Sequence, residues 1–385
     1  MRKVLRVITL IITPLISVCA FLSGCKSCGG KHVDIDNSDI MQDINVSPTQ
    51  SPAYEQYSRQ AIEEYKQVAA MHLDGDGEVD IENAEVIQAA NSAAAKLFAY
   101  ACYNERTLDK YVYFSNQHGE TDLGGSGFAN ATRQEYYLRV NESENTCGYR
   151  YHYTIKKVLE SGGLISGFKS LFESARIRIT DKTNLLYRFE GDKIIEGGEN
   201  ASIGVNMLEC EWATGKDWGK PDVEMKKSAF IAPEDIEKDI QESAGNDNIT
   251  MRANINILAD NIIKKANIFE AEDGCISVIM WIDTDIANRD EASLKMIRKG
   301  NGSGDCSWKK DAEDEDDTGF MIYCTLWQNG MFRFYNVQER WSGTIQGFKG
   351  TVQSQTTYHY SYSDRDCDMK ANLEMLEAAK KLKGE

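Results

Sequence analysis

Proline is scarce in this sequence, five in 385 residues, and no Ser/Pro-rich stretch separates one part of the chain from another. That argues for a compact body rather than domains strung on linkers. Basic residues are outnumbered, 43 Lys and Arg against 60 Asp and Glu, for a formal charge of −17. Nucleic acid is excluded as a partner, because binding it rests on cations that neutralise phosphates. Beyond the first 25 residues no stretch is both long and apolar enough to span a bilayer. The chemical signatures are also thin. No G-x-S-x-G, H-E-x-x-H or Cys/His nucleophile constellation is visible, and no paired Cys-x-x-Cys units or histidines stand at zinc spacing.

The N-terminus is the most informative stretch. Arg2, Lys3 and Arg6 precede an apolar run from Val7 to Leu22, which ends in Leu22-Ser23-Gly24-Cys25. Sixteen residues interrupted by Pro14 fall short of the roughly 20 that a membrane-crossing helix needs. Basic start, apolar segment and small residues before a cysteine are the layout of a secretory signal. These residues resemble a bacterial lipobox. The resemblance covers residues 1–25 and implies cleavage before Cys25, a diacylglyceryl thioether on its sulfur, and a mature chain held at the membrane outside the cytoplasm, at the outer membrane or cell surface. In lipoprotein sorting rules the residue after the cysteine matters, and Lys26 is not the Asp associated with inner-membrane retention.

Removal of residues 1–24 leaves 361 residues and moves the formal charge to −20. Lys26 to Pro52 is rich in Gly, Ser, Asn and Asp and reads as a flexible tether over residues 25–52. Fully extended, it reaches at most ~90 Å. In an oxidising compartment the eight cysteines that remain, Cys28, Cys102, Cys147, Cys210, Cys275, Cys306, Cys324 and Cys367, suffice for up to four disulfides. Cys306 with Cys324 is the plausible pair.

Periodicity predicts a helical segment over 53–109, a β-rich region over 110–230 and a mixed region over 231–385. Tyr54, Tyr57, Ile62, Tyr65, Val68 and Ala69 mark a first helix ending at Met71. A second, alanine-dense helix runs from Ile81 to about Tyr103, with Asp80 as its expected N-cap. Strand signals follow between Tyr111 and Trp212, and Gly191-Asp192 reads as a hairpin turn. Pro233–Glu242 and Ile249–Asn267 read as mid-chain helices, the latter on a stripe of Ile255, Leu258, Ile262, Ile263 and Ala266. Strands resume at Cys275–Ile282, Phe320–Trp327, Met331–Val337 and Gly350–Tyr362, and Asp368–Lys383 is a terminal helix. This order lacks the regular βαβ rhythm, so the expected class is α+β with a mostly antiparallel, curved sheet. Whether the halves on either side of residue 230 are two domains or share one sheet stays open. A curved sheet with helices is similar to the lipoprotein carrier folds of the LolA and LppX type, a similarity of architecture that implies an apolar ligand.

Three local patterns carry chemistry. His72-Leu73-Asp74-Gly75-Asp76-Gly77-Glu78-Val79-Asp80 resembles the calcium loop of EF-hand or dockerin repeats. The resemblance puts Asp74, Asp76 and Asp80 at loop positions three, five and nine and Gly77 at the sharp turn. His72 and Asn83 stand where the end carboxylates belong, so weak Ca2+ binding, or a plain Asp/Gly turn, is what it implies. Strand alternation places Tyr149, Tyr151 and Tyr153 on one face of their segment, and Tyr358, Tyr360 and Tyr362 repeat the device. Such ladders form either a ligand face for a flat molecule such as a sugar or one wall of a core. The glycines at 124–127 and 300–304 and the acids between Asp311 and Asp317 read as solvated loops. The expectation is a non-catalytic binding or structural module with a carbohydrate, protein or lipid partner. A carrier of an apolar ligand, or a hydrolase using convergent carboxylates or His152, is the alternative.

Overall fold

A computed structural model describes residues 41–143, 146–164, 166, 174–181, 186–191, 211–212, 262–289, 305–310, 318–345 and 348–368. Side chains in 141–157 and in the strands between 174 and 212 are not described. The mid-chain helix at 233–242, the terminal helix, the 300–304 glycines and the acidic run lie outside these residues. The fold is α+β, and the strand pairings among the described residues are antiparallel. The chain divides into two compact units, one of Met1–Gln50, Leu108–Ala229 and Tyr358–Glu385, the other of Ser51–Thr107 and Phe230–Thr357. The N-terminal helical pair therefore belongs with the later strands, from which it is separated by more than 150 residues.

That helical unit is built on α1 (Glu55–Met71) and α2 (Ala84–Thr107). Alanine favours the helical backbone and lets neighbours approach closely. Ala90, Ala93, Ala94, Leu97 and Ala101 are all buried in α2. The N-cap of α2 is Asn83, whose side-chain oxygen accepts the N–H of Glu85 at 2.9 Å. Asp80, the cap expected from sequence, instead receives the N–H of Glu82 at 3.1 Å, one turn too early. Both α1 and the sheet pack on α2.

The sheet partners are β7 (Ile263–Glu270), β8 (Ile276–Ile282), β10 (Phe320–Leu326) and β11 (Phe332–Ile345), side by side in the order β11-β10-β8-β7. Strict alternation buries Ile276, Val278, Met280 and Ile282 of β8 and Phe320, Ile322, Cys324 and Leu326 of β10. Phe98 of α2 meets Phe332 and Tyr335 of β11, at ring-centroid distances of 5.9 and 5.7 Å. A short helix α3 (Thr284–Ala287) follows β8, and β9 (Ser307–Trp308) pairs with β11.

One expectation is overturned here. Residues 263–267, read from sequence as the end of a helix, are in β7. Ile262, Ile263 and Ala266 satisfy a helical spacing, but Ala266 pairs with Met280 and Ile268 with Val278 of β8. Sheet pairing against an apolar neighbour outweighs a short helical stripe.

The β7–β8 and β10–β11 turns are built alike. Ala271 N–H donates to Cys275 O and Gly274 N–H to Ala271 O; Trp327 N–H donates to Met331 O and Gly330 N–H to Trp327 O, all at 2.8 Å. Asp273 and Asn329 each accept the N–H two residues on, at 3.0 and 3.2 Å. Gly274 and Gly330 hold φ values of +73° and +78°, the left-handed region in which glycine carries no Cβ penalty.

The other unit is a strand series in the order β6-β5-β4-β3-β2-β1. Its members are β1 (Lys110–Asp122), β2 (Gly127–Ser143), β3 (Thr146–Gly163), β4 (Ser174–Asp181), β5 (Leu186–Gly191) and β6 (Glu211–Trp212). Gly124–Ser126 is the turn between β1 and β2, a hairpin connection rather than a phosphate cradle. β12 (Phe348–Ser361) contributes residues up to Thr357 to the helical unit and Tyr358 onward to this one.

Candidate functional site

In the strand unit, β1 and β2 present Tyr111, Tyr113, Ser115, Gln117 and Thr121 opposite Arg139, Tyr137, Glu135, Arg133 and Ala129. Period-two alternation puts them on one side of the sheet. Tyr111, Tyr113, Ser115, Gln117, Thr121, Tyr137 and Arg139 are buried. Tyr113 is the hub. Its ring stacks on Tyr137 at 5.1 Å and meets Tyr358 at 5.6 Å and Tyr360 at 5.9 Å. Tyr111 joins through Tyr137 at 5.8 Å, and Tyr362 through Tyr360 at 6.3 Å. The Tyr113 hydroxyl donates to Glu135 at 2.6 Å, and Arg133 pairs with the other carboxylate oxygen at 3.1 Å. Five ring contacts of this kind, each worth ~0.5–1.5 kcal/mol, bind the cluster into a rigid block.

The sequence-predicted tyrosines divide. Tyr358, Tyr360 and Tyr362 are all at most 4% exposed and form part of this block, so they are not an open face. Tyr153 pairs with Tyr136, Tyr151 with Leu138 and Tyr149 with Val140, a register that alternates with Tyr137 and Arg139; their side chains are among those not described. His152, paired with Tyr137, is in the same position. Tyr111, Tyr113, Tyr137, Arg133 and Glu135 were not singled out from sequence. Their signal was present in the alternation Tyr111-Val112-Tyr113-Phe114 and the i, i+2, i+4 spacing of Arg133, Glu135 and Tyr137.

On the other side of β2, burial pushes the Tyr136 phenol well above its usual range, helped by the negative charge of Asp366 and by Cys367. Asp366 is a clasp. Its two oxygens accept the main-chain N–H groups of Gln42 and Asp43, at 2.9 and 2.8 Å. Met41 is fully buried, and Gln50 accepts from Asp109 N–H and donates to Lys110 O. Residues 41–50 are thus held by the strand unit. These ten residues lie within the stretch read from composition as a tether.

In the Asp/Gly loop, Gly77 does take the sharp turn, at φ +82°. Asp74, however, spends one oxygen on the N–H groups of Asp76 and Glu78, at 2.9 and 3.0 Å, and Asp80 caps Glu82. Leu73 bridges to Val79, closing the loop as a miniature hairpin. Among the described residues no three His, Cys, Asp or Glu side chains converge as metal ligands, Asp74, Asp76 and Asp80 included.

Cys102, Cys275, Cys306, Cys324 and Cys367 are buried, and no disulfide joins any two of them. Cys306 and Cys324 are not partners. Cys306 lies against Gly343 of β11, whereas Cys324 pairs with Tyr335 of the same strand. Eight residues of strand amount to ~26 Å, far beyond the Cα separation of about 4.4–6.8 Å that a disulfide spans. Cys275 has Arg333 Nη1 3.3 Å from its sulfur, and Arg333 also pairs with Asp273 at 2.8 Å and lies 4.8 Å over the Trp327 ring. Burial nonetheless pushes the Cys275 thiol up. A thiol held protonated is not an activated nucleophile.

No family model matches this chain. No curated protein matches it either. Among solved structures it is similar to a DUF1329 family protein from Desulfovibrio piger ATCC 29098, at 10% identity and a TM-score of 0.18 over 73% of this chain and 98% of that one. A score that low does not equate two folds, and the site is read from this chain's own residues. No helix among the described residues is long and apolar enough to cross a membrane.

Proposed function

We propose that this protein is a lipid-anchored, extracytoplasmic module that spaces or binds a partner at the cell envelope without catalysis. The observation that carries this reading is the Asp366 clasp. A lipid on Cys25 pulls on the chain, and the pair of N–H groups at Gln42 and Asp43 ties that N-terminal side to the folded body. The 15 residues between, 26–40, extend to at most ~50 Å, which holds the body close to its membrane.

The buried tyrosine block supports the structural side of the reading, since rings packed on one another stiffen a sheet. An apolar-ligand carrier is less well supported. The buried side of β1 and β2 carries Ser115, Gln117, Thr121 and Arg139, and laying acyl chains against such groups costs ~1–3 kcal/mol for each one stripped of its partner.

The test is the intact mass of protein taken from native membranes, alongside Cys25→Ser. The proposal expects a chain that starts at Cys25 and carries diacylglycerol, and a Cys25→Ser protein that leaves the detergent phase. A chain that still begins at Met1 and partitions into water would overturn it.

A further inference from the structure

Met71, Leu73 and Ile81 stand out among the exposed apolar side chains, because all three border one loop and are 70, 53 and 49% exposed. Met71 closes α1, and the chain folds back on itself before α2 begins. Leu73 bridges antiparallel to Val79, between the bonds from Asp80 N–H to His72 O at 2.9 Å and from Asp74 N–H to Glu78 O at 2.7 Å. Opposed residues of such a pair project to one side, so Leu73 and Val79 share a face and His72 and Asp80 share the reverse. The reverse is turned to α2: the His72 ring lies 3.0 Å from the carboxylate of Glu85, in the first turn of that helix. The Leu73–Val79 face therefore looks outward. Nothing crowds the tip, since a Cβ added at Gly75 or Gly77 would meet no atom within 4 Å. Met71 and Ile81 flank the pair, two positions beyond it on either side. Asp74 holds the N–H groups of Asp76 and Glu78, so the strip is formed in advance and a binder bears little cost of ordering it.

The charge around the strip has one sign. From Gln67 to Ala95 the chain carries six acids, Asp74, Asp76, Glu78, Asp80, Glu82 and Glu85, and neither lysine nor arginine. Among the described residues Glu82 alone of the six pairs with a lysine, Lys265, at 2.8 Å. A second copy of the chain would set acids against acids, and an anionic lipid surface would meet the same repulsion. An exposed apolar strip in an acidic rim fits a partner whose apolar side chains are set among cations.

We propose that the outer face of the 72–80 hairpin is a docking site for a cationic segment of another protein, whose apolar side chains cover Leu73 and Ile81 while its lysines or arginines meet Asp76 and Glu78. This rests on the reading of the chain as a binding module and names the chemistry of the partner.

The probe is a synthetic amphipathic peptide of lysine and leucine alone, added to the full chain carrying Cys25→Ser, with hydrogen exchange followed in residues 71–82. That chain bears no lipid whichever way the anchor test falls, so failure here and failure of the anchor are told apart. Protection across 71–82 is expected to rise with peptide concentration, and Leu73→Ser with Ile81→Ser to raise the half-saturating concentration about tenfold at unchanged charge. Asp76→Asn with Glu78→Gln should act by a similar factor, as should salt at ~0.5 M. These positions are exposed, and unchanged protection of α2 checks that each variant folds. No added protection in 71–82, full affinity in the Leu73 and Ile81 variant, or equal binding of a peptide with serine for every leucine overturns the proposal. So does sedimentation showing wild-type dimers that Leu73→Ser dissolves, which gives the strip to a second copy, or uptake onto phosphatidylcholine vesicles that Leu73→Ser abolishes, which gives it to lipid.

Discussion

The Asp366 carboxylate accepts the main-chain N–H of Gln42 at 2.9 Å, although 324 positions separate the two in the chain. With its second bond, to Asp43 at 2.8 Å, one side chain ties residues 42–43 to the segment that follows β12. Asp366→Ala removes two charge-assisted bonds at a partly exposed site, a loss of about 1–3 kcal/mol. The expected readout is local: limited proteolysis newly cuts within 41–50, while the helical unit keeps its exchange protection. Unchanged resistance across 41–50 would show that Met41 packing and the Gln50 bonds secure the segment without the clasp.

Gly330 is expected to be irreplaceable for two separable reasons. Its φ of +78° costs a side-chain-bearing residue ~1–2 kcal/mol, and an added Cβ would lie 2.4 Å from the Ser58 hydroxyl. Gly330→Ala should therefore lower stability by about 2–4 kcal/mol, and Ser58→Gly in the same chain should recover the steric part only. Asn104 belongs to the same knot, accepting Tyr54 N–H at 2.9 Å and donating to Gly330 O at 3.2 Å. Asn104→Ala strands two buried main-chain groups and should cost about 2–4 kcal/mol in urea unfolding.

Tyr113 separates ring from hydroxyl. Tyr113→Phe keeps the ring but loses the bond to Glu135, whose carboxylate keeps Arg133, and should cost about 1 kcal/mol. Tyr113→Ala removes the shared partner of Tyr137, Tyr358 and Tyr360 and should cost about 3–5 kcal/mol. Equal losses in the two variants would mean that the hydroxyl, rather than the stack, holds the block together.

Two half-buried titrating groups set opposite pH slopes. Glu339 has its carboxyl raised from the usual 4.5 to about 7, so the folded chain binds more protons than the unfolded one in that window and stability declines as pH rises through it, by at most ~3 kcal/mol. Burial holds His359 below its usual 6.5, so the unfolded chain takes the proton first and stability declines as pH falls below 6.5. Denaturant midpoints between pH 5 and 8 should show Glu339→Gln flattening the decline toward neutral pH and His359→Gln flattening the decline on acidification.

Much of the architecture is legible in the primary structure because it rests on local periodicity. Alternation in Cys275–Ile282 and Phe320–Trp327 marks strands that the structure keeps almost residue for residue, and the alanine run marks α2. The errors fall where a local pattern admits two answers. Asp80 and Asn83 are both good N-caps, and only the turn that closes through Leu73 and Val79 selects Asn83.

By itself, then, the order of residues determined the α+β class, the helical pair and the acidic, proline-poor character of the chain, since each follows from composition or from spacing within a few residues. Tertiary structure decided the rest. Which strand lies beside which is a long-range choice, and that choice made a strand of residues 263–267, set Cys306 and Cys324 far apart along β11, and joined Tyr358 and Tyr360 to Tyr113. Burial is a property of the packed whole, and so the alternation of Tyr358, Tyr360 and Tyr362, which fits either a ligand face or a core wall in one dimension, is settled as core only in three.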